Sequence, residues 1–332
     1  MRILLIRTSA LGDIVHCLPV LTALRRERPE AKIAWVVEEA MAPLLAGHPD
    51  LDELIPVRLR PWRKQPFAAA TRREVWALIR QLRAFRADVA LDLMGNHKAG
   101  VLAWLSGAPA RIGAQRKARR EASSSAWINR PVAVAGQHAV DRALSLLAGL
   151  GLEPQRADFG PEKILAAGTP ESVPLPIDVV IHPGAGWANK VYPPASWGAV
   201  ARQLAANGFS VGVALARGEE ALAQEIETTS GGAARRVEAG SLPALAATLR
   251  ATRLLLAGDT GPLHLAHALG TPVVAVMGPT DPARHGPYGR PDLALALTLP
   301  CSGCYKRLDG PRACLLSLSP EEVAAKALAV LG

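Results

Sequence analysis

Short apolar runs alternate with helix-length stretches from one end of this chain to the other, and this alternation restricts the fold more than any other feature. Runs rich in Leu, Ile and Val at 2–7, 32–37, 54–57, 89–93 and 111–112 read as strands, with helices expected at 15–28, 72–85 and 139–150. The second half repeats the pattern, with strands at 178–182, 210–215, 253–257 and 273–277 and helices at 195–207, 219–229, 243–250 and 262–269. Such fully apolar runs are buried on both faces, which requires a parallel sheet covered by helices. Residues 151–176, rich in Gly, Pro and charge, break the rhythm and read as an interdomain connection. An Ala-rich terminal helix is expected from Pro320. The expected fold class is therefore α/β, with two doubly wound domains facing across a cleft. Ligands of such domains bind outside the carboxyl ends of the strands.

A length of 332 residues agrees with two domains. Hydrophobic residues at 49% against 20% charged residues exclude a disordered or collagen-like chain. No apolar run approaches the roughly 20 residues of a membrane span. The opening Met1-Arg-Ile-Leu-Leu-Ile-Arg7 is too short in apolar residues for a signal-peptide core, so the chain is expected in the cytosol.

The net charge of +9 is unevenly distributed. Residues 58–86 hold nine arginines and lysines against one acid, Glu74, and 111–120 add five cations and no acid. Such clusters attract phosphates and carboxylates, although a solvated helix face gives the same pattern. Aromatic residues make up only 4% of the chain, which argues against a single-stranded nucleic acid as partner. Cys301, Cys304 and Cys314 have no fourth ligand nearby in sequence, so a reduced structural loop is expected there rather than zinc.

Four strand ends carry candidate chemistry. The first leads into Thr8-Ser-Ala-Leu-Gly-Asp-Ile-Val-His16, where Asp13 is placed to act as a general base or to cap the following helix. This turn has neither the G-x-G-x-x-G of a dinucleotide fold nor a Walker A loop, which speaks against an NAD-type oxidoreductase. In His182-Pro-Gly-Ala-Gly-Trp-Ala-Asn-Lys190, Gly184 and Gly186 permit close approach of a ligand. Lys190, one of only 8 lysines beside 30 arginines, offers a point charge for a phosphate. Gly258-Asp-Thr-Gly-Pro-Leu-His264 ends a strand and opens a helix capped by Asp259 or Thr260, creating an anion site at its first amides. Asp259 would repel a diphosphate and is expected to meet a sugar hydroxyl or an amide, while His264 can donate to phosphate or simply pack. Thr280 adds a hydroxyl at the neighbouring strand end. Glu220 stands where ribose is held or where a helix merely begins.

The segments 7–16, 182–190 and 258–264 together resemble the lipopolysaccharide heptosyltransferases of glycosyltransferase family 9, the first of them most closely the heptosyltransferase I branch. The resemblance runs from residue 1 to the last helix. It implies a GT-B fold with an acceptor domain at 1–160, a nucleotide-sugar domain at 161–319 and a terminal helix, 320–332, crossing back to the first domain. It also implies transfer of L-glycero-D-manno-heptose from ADP-heptose to the first Kdo of Kdo2-lipid A, with inversion and without cofactor or metal. By the same resemblance Asp13 is the base and Lys190 the stabiliser of the ADP phosphates. Gly184, Ala185, Gly186, Glu220, Asp259, Thr260, Gly261, His264, Met277 and Thr280 belong to the donor site. Ser9, Ala10, Arg60, Arg63, Lys64, Lys98 and Arg120 belong to the acceptor side. A monomer peripheral to the cytoplasmic face of the inner membrane is expected. Two features depart from the pattern: Ala185 and Gly186 stand where some members carry hydroxyls, and the cysteine cluster is more typical of the second-heptose branch. A sibling enzyme adding a later core heptose, or one modifying protein, is the nearest alternative.

Overall fold

The computed structural model describes residues 1–153, 155–165, 177–237 and 239–332. Every strand expected from the apolar runs is present, and two parallel six-stranded sheets result. The first contains β1 (Arg2–Ile6), β2 (Lys32–Glu38), β3 (Glu53–Val57), β4 (Val89–Asp92), β5 (Ala110–Ala114) and β6 (Arg130–Val132), in the order β3-β2-β1-β4-β5-β6. The second contains β7 (Val179–His182), β8 (Val211–Ala214), β9 (Ala234–Val237), β10 (Leu254–Ala257), β11 (Val273–Val276) and β12 (Ala294–Leu295), in the order β12-β11-β10-β7-β8-β9. The two orders are the same doubly wound topology used twice. In each sheet the winding direction reverses between the first and fourth strands, where side chains at the carboxyl ends are uncovered by crossover helices. In the first sheet that point lies between β1 and β4, with Ile6 beside Asp92. In the second it lies between β7 and β10, with His182 beside Ala257.

Central strands carry the cores. β4, β7, β8, β10 and β11 are buried at every position, and each Leu, Ile or Val so buried contributes about 1.5–3 kcal/mol over an exposed one. Three strands had no apolar run to announce them: β6, β9 and β12 lie at sheet edges and carry Arg, Pro or only two residues. The helix expected at 15–28 is two helices, Leu11–Val15 and Leu18–Glu27, because Pro19 fits only a first turn and forces a restart after His16 and Cys17.

The chain divides into compact units of residues 1–167 and 168–332. Lys163 donates to Asp50 at 2.9 Å and the Leu165 amide donates to the Leu44 carbonyl, so 163–165 pack on the first unit. Residue 154 and residues 166–176 of the expected connection lie outside the described residues. Pro320–Leu331 packs on the helix Pro194–Ala206 and on β10 and β11, with Val323, Ala324 and Ala327 in the core of the second unit. Its apolar side is satisfied there.

Candidate active site

The switch point of the second sheet gathers residues distant in sequence. β7 leads into the loop ending at Lys190, and β10 leads into Gly258 and Asp259. Lys190 Nζ lies 2.6 Å from Asp259 Oδ2, and His264 Nε2 lies 3.3 Å from Asp259 Oδ1. All three side chains are nearly buried, at 13%, 8% and 7% exposure. Burial alone would raise the Asp259 carboxyl. The hydrogen bond and charge of His264, with the Lys190 ammonium, outweigh it and hold Asp259 well below the usual carboxylate range. Each carboxylate oxygen of Asp259 is thus met by one of these two side chains. An ammonium has three donors, so Lys190 keeps two for another acceptor. The Trp187 ring, 4.4 Å from Lys190 Nζ, restrains it by a cation–π contact. Behind it, Tyr192 donates to the Leu318 carbonyl at 2.8 Å and meets Trp197 edge-on at 4.9 Å, which anchors the loop.

The helix Gly261–Ala268 starts beside this cluster. Thr260, not Asp259, is its N-terminal cap residue, in extended backbone, yet its hydroxyl makes no capping bond. Pro262 has no amide hydrogen, so Gly261 and Leu263 present the first open donors. The hydroxyls of Thr260 and of Thr280 are buried without a partner among the described residues. A buried, unsatisfied hydroxyl costs on the order of 1–3 kcal/mol, so that of Thr260, at the start of a helix with open amides, marks a place suited to a polar ligand.

The loop after β7 is shaped by Glu219. A Cβ on Gly184 would overlap the Glu219 carboxylate, whereas Gly186 faces open space. Glu219 accepts the Ala216 amide at 2.9 Å and lies 3.9 Å from His182 Nε2. Burial keeps the His182 imidazole below its usual range despite this carboxylate. Glu220, the expected sugar-binding acid, is exposed and accepts the Gly218 amide at 3.1 Å. Its bonds to its own and the Gly218 amides lower its carboxyl. Ala185 is half-buried at the loop, and Met277 is fully buried with its amide on the Leu295 carbonyl. Met277 therefore packs in the core at the end of β11.

Three residues near this cluster, His285, Tyr305 and Arg307, carried no signal in the sequence. The His285 and Tyr305 rings meet edge-on at 5.9 Å, and burial pushes the His285 imidazole down to about 4, so it is neutral at pH 7. Arg307 lies 4.7 Å from the Trp187 ring, and Asn189 Nδ2 donates to the Lys306 carbonyl at 2.8 Å, docking 305–307 on the lysine loop. With Glu219, these are recruited through folding from segments whose spacing in sequence says nothing of their proximity.

In the first unit, Asp13 is the third residue of the helix Leu11–Val15. Its Oδ2 lies 2.5 Å from Arg7 Nη2 and accepts the Ala10 amide at 3.3 Å, so it serves the helix start while its side chain remains 40% exposed. Ser9 is half-buried and Ala10 exposed in the same turn. Across the switch point, Asp92 is fully buried against Arg119 at 2.5 Å and accepts the amides of Met94 and Gly95, each at 2.9 Å. That network holds the segment leading to Lys98, which is exposed near the start of the helix His97–Leu105. Arg120, next to buried Arg119, is exposed. Arg60, Arg63 and Lys64 are exposed on the short helix Leu59–Lys64, where Arg60, Pro61, Lys64 and Gln65 line an open depression of about 340 Å³.

A family model described as glycosyltransferase family 9 (heptosyltransferase) matches residues 75–312. Lipopolysaccharide heptosyltransferase 1 of Pseudomonas aeruginosa is 34% identical over 92% of this chain and 87% of its own length. The chain belongs to glycosyltransferase family 9. Lipopolysaccharide heptosyltransferase 1 of Escherichia coli K12 is 32% identical over 87% of this chain and 92% of its own. Among solved structures, the E. coli heptosyltransferase WaaC with ADP superposes with a TM-score of 0.84 at 26% identity, covering 99% of this chain and 100% of that one. The same enzyme with ADP-2-deoxy-2-fluoro heptose gives 0.80 at 26%, over 99% of each chain. The two Rossmann-like units are therefore those of a GT-B glycosyltransferase. Lys190, Asp259 and His264 meet at the switch point of the second sheet, and Asp13 lies in the helix that follows β1 in the first.

Proposed function

We propose that the chain is an inverting, metal-independent heptosyltransferase that moves L-glycero-D-manno-heptose from ADP-heptose to the first Kdo of Kdo2-lipid A. The observation that carries this reading is the buried hydroxyl of Thr260, without a partner among the described residues, at the N-terminus of the helix that starts beside Lys190 and Asp259; Thr280 carries a second such hydroxyl. A diphosphate would satisfy them together with the Gly261 and Leu263 amides. The relatives quoted above are named lipopolysaccharide heptosyltransferase 1, and the similar solved enzyme holds ADP and ADP-2-deoxy-2-fluoro heptose.

In the proposed reaction, an acceptor hydroxyl oxygen bonds to the anomeric carbon of the heptose as the bond from that carbon to the β-phosphate oxygen breaks. The electron pair leaves with ADP, and Asp13 takes the hydroxyl proton. A single displacement inverts the anomeric centre. Lys190 and the helix amides stabilise the charge growing on the diphosphate, an effect worth roughly 10²–10³ in rate for each such donor group. Asp259 orients Lys190 and His264, and Arg7 orients Asp13. In this reading the charge growing on the diphosphate is assigned to Lys190 and the helix amides. Gly184, Ala185, Gly186, Met277 and either Glu219 or Glu220 would complete the donor site. Ser9, Ala10, Arg60, Arg63, Lys64, Lys98 and Arg120 would meet the acidic acceptor. Glu219 is favoured over Glu220 by its position against Gly184. The enzyme would act as a monomer, peripheral to the cytoplasmic face of the inner membrane.

The test is transfer from ADP-heptose, with and without EDTA, to Kdo2-lipid A and, in parallel, to a core already bearing a heptose. The expected result is an inverted linkage on Kdo2-lipid A at a rate indifferent to EDTA. Transfer only to the heptosylated core would overturn the acceptor assignment, and loss of activity in EDTA would overturn the metal-free chemistry.

A further inference from the structure

One part of the described surface brings large exposed aromatic side chains together with cations lacking acidic partners. Phe67, between the helices Leu59–Lys64 and Ala69–Ala84, is 88% exposed, and Trp76 on the longer helix is 65% exposed. Arg72, Trp76, Arg80 and Arg83 follow at i, i+4, i+8 and i+11 and so share one side of that helix, opposite the buried Thr71, Leu78 and Leu82. Among the described residues, Arg63, Lys64, Arg72, Arg73, Arg80 and Arg83 form no ion pair. Glu74, the one acid in 58–86, is taken by Arg58 at 3.1 Å and by the Trp62 indole at 2.6 Å.

Charge alone would suit any polyanion. Exposed aromatic rings standing among arginines suit a lipid–water interface, where the ring enters the headgroup layer and the guanidinium meets phosphate. The helix already buries its apolar side in the protein, so it has no second apolar face to sink into a bilayer. We propose that this helix pair docks on a bilayer surface bearing anionic lipid headgroups, with Phe67 and Trp76 as anchors and the arginines as phosphate contacts. The inference deepens the reading above, in which the acceptor is a membrane lipid, and it is testable without that acceptor.

The full chain is sedimented with vesicles of phosphatidylcholine alone or with about one-third phosphatidylglycerol, at low and high salt. ADP binding and heptose transfer are measured on the same preparations. Binding is expected to be at least about ten-fold tighter to the anionic vesicles and to weaken with salt. The double variant Phe67→Ser, Trp76→Ser is expected to bind about ten-fold more weakly, and Arg72→Gln, Arg80→Gln, Arg83→Gln to lose the preference for anionic lipid. Both should bind ADP like the parent, which shows that they are folded. Equal binding to neutral and anionic vesicles, parental binding by the aromatic variant, or displacement from vesicles by RNA at equal phosphate would overturn the docking. Absence of vesicle binding with transfer intact overturns the docking alone. Vesicle binding without transfer supports the docking and counts against the proposed reaction.

Discussion

The two switch points of this enzyme share a topology and differ in how they hold charge. At the carboxyl ends of β7 and β10, Lys190, Asp259 and His264 are nearly buried and neutralise one another, while two threonine hydroxyls and two helix amides stay open. At the carboxyl ends of β1 and β4, the buried pair Asp92–Arg119 is fully consumed in holding its own segment, and Asp13 stands 40% exposed beside Arg7. Further cations of that unit lie on helices at the surface. Burying an ion cluster carries a desolvation cost that good geometry must offset. The second unit accepts that cost and holds Lys190, Asp259 and His264 in one fixed arrangement, as the proposed donor site requires. The first unit keeps its cations hydrated, which suits a large, multiply charged acceptor met at a surface.

Four substitutions bear on this contrast, in decreasing order of effect. Asp13→Asn should lower turnover by about 10²–10⁴-fold while ADP affinity stays within about two-fold. Steady-state kinetics with ADP titration checks this, and near-normal turnover would remove Asp13 from the base role. Arg119→Met strands the buried Asp92 carboxylate and should cost about 3–5 kcal/mol in denaturant unfolding. A loss below about 1 kcal/mol would mean that this pair is not the anchor of the 92–98 segment.

Asp52 shows a carboxylate of the first unit used only for the fold. Burial opposes its ionisation, but bonds from Lys32 at 2.8 Å, the Ile33 amide at 2.9 Å and Arg25 at 2.6 Å lower its carboxyl from 3.8 to about 2. A depressed folded-state value gives stability that is present above the unfolded value and lost as pH falls through the folded one. Asp52→Asn should therefore cost about 1–2 kcal/mol at pH 7, after allowance for its 23% exposure, and the difference should fade between about pH 4 and pH 2. Urea midpoints across that range measure it. The smallest effect is the most specific. Thr260→Val with Thr280→Val removes hydroxyls that satisfy nothing in the free protein, so stability should hold or rise slightly while ADP binding weakens about five- to ten-fold. Unchanged ADP affinity would show that the hydroxyls do not face the nucleotide.

Much of the architecture was legible because central parallel strands must be apolar throughout, as Leu254–Ala257 and Val273–Val276 are. The edge strands β6, β9 and β12 were not, since an edge carries Arg235, Arg236 or Pro131 without penalty. For the site, turn chemistry revealed Lys190, Thr260 and Gly261 as segments but not as neighbours. The bond from Lys190 to Asp259 spans 69 residues and depends on β7 and β10 lying side by side. The choice between Glu219 and Glu220 was beyond spacing arguments, because one residue decides which carboxylate packs on Gly184 and which faces water. His285, Tyr305 and Arg307 reach the cluster through loops with no periodic signal at all.

The most direct measurement is a crystal structure of the full chain with ADP. The account predicts the diphosphate within hydrogen-bond distance of Lys190 Nζ, the Gly261 and Leu263 amides and the hydroxyls of Thr260 and Thr280. A nucleotide bound at the Asp13 turn, or anywhere that leaves those two hydroxyls without a partner, would contradict it.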